Sequence, residues 1–127
     1  MDEATAETTV RQLRQHHLLD DAEFARYWVD QRQTFRPRGA RLLRAELRQH
    51  GVDRALAEDA AASVDGSAEA DAYRAAARRA RQLGQTDERT FRSRLGQLLA
   101  RRGFDWDIID GVVGRLWQER ETPGPPQ

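Results

Sequence analysis

The chain has 127 residues, 39% hydrophobic and 33% charged, with 21 basic and 21 acidic side chains cancelling to a formal charge of zero. Global charge therefore does not announce a nucleic-acid binder, and the absence of Cys excludes disulfides, thiolate metal sites and a cysteine nucleophile. The acidic N-terminus lacks a signal peptide's apolar stretch, and no apolar run approaches the ~20 residues of a membrane span, so a cytoplasmic protein is expected.

Strand signals are nearly absent, because β-branched residues are scarce and Ala, Leu, Arg, Gln and Glu dominate. The expected fold class is all-α, with no β-sheet. Residues 1–7 read as disordered. Residues 8–19 carry Val10, Leu13, Leu18 and Leu19 and read as a short helix running into a turn, incomplete on its own.

A first full unit is expected over 20–65. Asp20 followed by Glu23 matches a capping box, and Phe24, Tyr27, Trp28, Gln31 and Phe35 form an aromatic stripe at helical spacing, expected in the core rather than stacking on bases. Arg36-Pro37 is read as opening the next helix, with Pro at the first helical position. Leu43 and Leu47 lie on one face of that helix, Arg41, Arg44 and Arg48 on the neighbouring face, and Gly51 stops it. Asp53 caps a third helix carrying Leu56, Ala60 and Val64.

The pattern restarts over 67–118. Ser67 is expected to cap a helix with Tyr73, Ala76, Ala77 and Ala80 inward, stopped by Gly84. Asp87 caps the next, with Phe91, Leu95, Leu98 and Leu99 inward, stopped by Gly103. Asp105 caps the last, whose broad apolar face includes Ile108, Ile109, Val112, Leu116 and Trp117. Gly111 and Gly114 inside it each cost about 1 kcal/mol relative to Ala, which implies that packing holds this helix or that a neighbour approaches closely. Trp106, off the main stripe, is the one aromatic expected to offer a surface contact. Residues 119–127 read as a disordered tail.

At a constant offset of 52, Leu47 pairs with Leu99, Gly51 with Gly103, Val52 with Phe104, Asp53 with Asp105 and Leu56 with Ile108. The shared signature Leu-x-x-x-Gly-Φ-Asp-x-x-Φ, with Φ apolar, is a helix, a left-handed stop, an apolar residue beneath the turn and a capped restart. Each copy has its own aromatic or Ala-rich lead helix, and residues 8–19 stand where an earlier copy would end. The expected architecture is an elongated, right-handed-style array of tandem three-helix repeats, stacked because no single unit buries its apolar face.

The string Leu18-Leu-Asp-Asp-Ala-Glu-Phe-Ala-Arg-Tyr-Trp-Val29, followed by Arg38-Gly-Ala-Arg-Leu-Leu-Arg-Ala-Glu-Leu-Arg-Gln-His-Gly-Val-Asp53, resembles the central repeat of the RecX family. Gln97-Leu-Leu-Ala-Arg-Arg-Gly-Phe-Asp105 with Ile108-Ile109 is similar to its third repeat. The resemblance implies a non-enzymatic regulator of the RecA recombinase, acting in DNA repair, homologous recombination and the SOS response by lodging in the groove of the RecA filament on DNA. It implies no cofactor and no small-molecule substrate. Most of the family's first repeat has no counterpart in this chain.

The densest basic segment holds Arg26, Arg32, Arg36, Arg38, Arg41, Arg44 and Arg48, opposed locally only by Asp30 and Glu46. Of these, Arg36, Arg38, Arg41, Arg44 and Arg48, with Arg101 and Arg102, are expected to face the partner, either acidic protein surface or filament phosphates. Phe24, Trp28, Leu47, Gly51, Asp53, Leu99, Gly103 and Asp105 are expected to hold the repeat together. A weaker patch at Arg78, Arg79 and Arg81 reads as a solvated face. Every basic residue is Arg, which coding bias explains more simply than selection for bidentate contacts. His16, His17 and His50 lack partners at metal-ligand spacing, and no phosphate loop or nucleophile elbow is present. Two other readings are a stand-alone DNA-binding module using the Arg36 to Arg48 face, and a helical adaptor that packs on another protein through the incomplete N-terminal repeat, whose exposed Val10, Leu13, Leu18 and Leu19 predict self-association unless a missing repeat covers them.

Overall fold

The computed structural model describes residues 2–121, side chains to residue 120. Among them are seven α-helices and no strand: α1 (Glu3–Gln15), α2 (Asp21–Phe35), α3 (Ala40–Gln49), α4 (Arg54–Ala62), α5 (Ala68–Gln82), α6 (Glu88–Arg101) and α7 (Trp106–Glu121), with a 3-10 turn at Asp65–Ser67 before α5. The all-helical class is as expected. Residues 122–127 of the expected tail lie outside the described residues, whereas 119–121 continue α7.

The α2–α4 and α5–α7 modules each have a core of their own. In the first, Phe24, Trp28, Leu43, Leu47, Val52 and Ala57 are almost wholly buried, and Val10 of α1 joins them. In the second, Phe91, Leu95, Leu99, Phe104, Ile109 and Val112 do the same work, with Ala72 and Ala76 of α5 taking the place of the bulky α2 side chains. The Gly stops carry positive φ at Gly51, Gly84 and Gly103, and side-chain caps are made by Asp20, Asp53 and Asp87. Asp20 and Glu23 close the expected capping box.

Four expectations are corrected. The first helix starts at Glu3 rather than Thr8: Asp2 accepts from the Thr5 amide as its cap, and Glu3 and Glu7 meet Arg32 of α2 at 3.3 Å, so charge pairing orders a stretch that has no apolar face. α3 starts at Ala40, not at Arg36-Pro37. Pro37 is buried in the connection, the Arg38 amide donates to Gln33 Oε1 at 2.8 Å instead of opening a helix, and Gly39 is the cap residue. Ser67 makes no side-chain cap for α5, since its hydroxyl donates to the Asp71 carboxylate at 2.8 Å.

Finally, the aromatic stripe of α2 is only half core. Phe24 and Trp28 are buried, but Tyr27 is 51% and Phe35 36% exposed, because a full helical stripe is wider than the face α1 and α4 cover. At the expected self-association edge Val10 is buried and Leu13 and Leu19 half-buried, leaving Leu18 exposed. In α7 no neighbour stands near Gly111, so this helix is held by its apolar face.

Candidate partner interface

The basic segment sorts by what Glu46 and the second module capture. Glu46 sits on the buried side of α3 and accepts from the Trp28 indole N–H at 3.1 Å. The same carboxylate pairs with Arg38 at 3.1 Å and Arg32 at 3.6 Å. Arg32 also reaches Glu3 and Glu7 and lies over the Trp28 ring, 4.3 Å from its centroid. Burial pushes the Arg38 guanidinium below its usual range, opposed by Glu46. Arg32 and Arg38 are thus structural cations joining α1, α2 and α3, since a buried charge needs a partner to be tolerated.

The junction between the modules takes three more arginines and a set of backbone groups. The Gly39 amide donates to the Arg102 carbonyl at 2.7 Å, and a Cβ on Gly39 would stand 2.3 Å from the Gly103 carbonyl oxygen. A Cβ on Gly103 would stand 2.5 Å from the Leu42 amide and Cβ. The two segments therefore touch backbone to backbone, which only glycine permits. Gln33 donates to Asp71 at 2.9 Å, Arg74 donates to the Gln33 carbonyl at 3.1 Å, and Arg41 reaches the Ala100 carbonyl at 3.3 Å. Arg102 is half-buried here, its guanidinium pushed down by burial and then by Arg36 and Arg38.

What remains exposed is narrower than the sequence suggested. Arg41, Arg44 and Arg48 line a shallow groove of about 450 Å³ along α3, continued by Arg54 and Glu58 of α4. Arg48 donates weakly to the Val52 carbonyl at 3.4 Å, and Arg54 pairs with Glu58 at 3.9 Å. Arg36 is 61% exposed beside Glu3 at 3.8 Å. Arg38 and Arg102, expected at the partner surface, are instead inside the network and the junction, because the tight connection at Gly39 draws both inward. Arg101 faces solvent in a different groove, with Arg79, Arg89 and Arg94. Trp106 is 60% exposed, as expected of it. The structural set, Phe24, Trp28, Leu47, Gly51, Asp53, Leu99, Gly103 and Asp105, lies in the cores or at the turns between helices.

Sequence reasoning missed Glu46 as a hub, Glu3 as a partner, and Gly39, Gln33 and Asp71 as junction residues. Their partners are distant in the chain, so no local signal names them. Among the described residues no group of His, Asp and Glu is arranged to hold a metal ion, and no helix is long and apolar enough to cross a membrane.

Comparison with known proteins follows the same division. Residues 20–60 match the family description "RecX, second three-helix domain" and residues 68–113 match "RecX, third three-helix domain". The chain belongs to the RecX family. The regulatory protein RecX of Amycolatopsis mediterranei is 42% identical over 113 residues, covering 88% of this chain and 65% of that protein. That of Mycolicibacterium vanbaalenii is 35% identical over 124 residues, covering 91% and 67%. The chain thus spans about two thirds of the length of these RecX relatives. The crystal structure of RecX from Lactobacillus salivarius superposes with a TM-score of 0.71 at 24% identity, over 85% of this chain and 71% of that one, which bears on the fold.

Proposed function

We propose that this chain is a non-enzymatic regulator that binds the RecA recombinase filament on DNA and inhibits its recombinase, ATPase and SOS-related activities. The observation that carries the reading is the match of consecutive halves of the chain to the second and third RecX domains, whose relatives are named regulatory proteins.

The reading is supported by the placement of Arg41, Arg44 and Arg48 on successive turns of one helix, α3, where their guanidinium groups line one groove. Planar guanidinium forks suit both carboxylates of an acidic protein surface and phosphates of filament-bound DNA. Binding that needs little reorganisation loses less affinity to ordering.

The test is a titration of the chain into RecA assembled on single-stranded DNA, following ATP hydrolysis and strand exchange. Both fall as the chain saturates. A folded chain that leaves both rates unchanged at saturation overturns the proposal.

A further inference from the structure

The groove between α5 and α6 belongs neither to the Arg41 face nor to the junction. It has a volume of about 730 Å³ and is lined by Arg79, Arg89, Arg94 and Arg101, with Thr90, Ser93 and Gln97 between them. None of the four arginines meets a carboxylate within ion-pair distance among the described residues. The neighbouring acids are engaged elsewhere: Asp87 accepts from the Thr90 amide, and Glu88 pairs with Arg92 at 3.0 Å.

The repeat shows what this surface is. At the offset of 52, Arg41 and Leu42 of α3 correspond to Ser93 and Arg94 of α6. Arg41 and Leu42 are residues through which the first module receives the second, against Ala100 and Gly103. Their counterparts in α6 line an open groove, and an arginine stands where the docking leucine would be. A surface kept polar only for solubility is served by interspersed charges of both signs. Four arginines lining one groove, none of them ion-paired to a carboxylate among the described residues, give it a local positive potential that favours a bound anion.

We propose that this groove is a phosphate-binding track that takes the sugar–phosphate backbone of a nucleic-acid strand, separate from the Arg41 face. From Thr90 to Arg101 the groove follows α6 for about 16 Å at 1.5 Å per residue, long enough to meet more than one phosphate of a strand. Hydroxyl, amide and guanidinium donors in a wet, basic trough are what phosphate backbones meet. A protein partner would need an apolar or aromatic anchor at the centre, and the groove offers only the half-buried Leu98. With no aromatic in the lining, base stacking is absent and the track reads charge without sequence.

The test uses naked nucleic acid, so its outcome is independent of the RecA reading. Fluorescence anisotropy is measured with a labelled oligothymidylate, a labelled duplex and a labelled polyglutamate peptide, in the wild type and in an R41A/R44A/R48A background. In both backgrounds R94A/R101A weakens oligothymidylate or duplex binding roughly ten-fold at low salt. It also lowers the salt slope by about 1.4 for the single strand, at ~0.7 per phosphate contact. R94K/R101K, which keeps the charge, retains most of the affinity. Unchanged affinity and slope in R94A/R101A overturn the proposal, as does polyglutamate binding tighter than either nucleic acid and lost in the same variant.

Discussion

The carbonyls of His50 and Arg102 stand at the same position of the repeat, and each accepts from an earlier part of the chain. Arg102 accepts from the Gly39 amide and His50 accepts from the Arg14 guanidinium of α1. Both residues follow the last turn of a helix, where carbonyls lack intrahelical partners. The array thus uses orphaned helix-end carbonyls as docking points, once for a backbone amide and once for a side chain.

The junction predicts a ranking of glycine substitutions. Gly51→Ala meets open space but must hold φ at +81°, which costs about 1 kcal/mol. Gly39→Ala drives a methyl group into the Gly103 carbonyl, an overpacking cost of roughly 1–3 kcal/mol. Gly103→Ala combines positive φ with the Leu42 clash and is the most damaging of the three. Urea unfolding of the three variants gives the order, and Gly103→Ala that is no less stable than Gly51→Ala contradicts the tight junction.

Glu46→Ala leaves Arg32 and Arg38, with side chains only 10% and 12% exposed, without their shared carboxylate. Breaking a buried ion pair by removing one partner costs about 3 kcal/mol or more. Chemical denaturation is expected to show a loss of that size, with the transition of the first module moving most. A loss below ~0.5 kcal/mol, the size of an exposed pair, would contradict the hub.

His50 gives a pH signature. Its ring packs on Trp28 and Phe24, with centroids 4.4 and 5.9 Å away. Its pKa is pushed below the ordinary 6.5 first by burial and then by Arg11 and Arg14, with Arg32 adding to them and Glu7 opposing. The unfolded chain therefore binds this proton more readily than the folded one. The associated stability is fully present above pH 6.5 and is lost as pH falls from there toward the folded pKa. Melting temperatures of wild type and His50→Gln measured across that range are expected to converge as pH falls, and a constant difference would assign the ring a purely packing role.

The repeat was legible because its signals are local: a leucine, a glycine forced to positive φ and an Asp cap lie within a few residues, and each has one mechanical use. The two module cores followed from the same periodicity. Ion-pair fates were not legible. Arg38 and Arg41 are three residues apart in one basic run, yet one is drawn inward to Glu46 and the other faces solvent, and the difference is decided by a helix start shifted from Pro37 to Ala40. The order of residues 3–7 was missed for a related reason. Their stabilising partner, Arg32, is more than twenty residues away, and an acidic stretch read alone resembles a solvated terminus.

The proposed binding of the RecA filament rests on the face formed by Arg41, Arg44 and Arg48. Its most direct test is co-sedimentation of the chain with RecA preassembled on single-stranded DNA, for the wild type and for R41A/R44A/R48A. These side chains are outside both cores, so the variant is expected to fold, with an unchanged helical circular dichroism spectrum. Wild type is expected to sediment with the filament, and the variant to stay largely in the supernatant. Equal sedimentation of the two proteins, or none of the folded wild type at saturating filament, would contradict it.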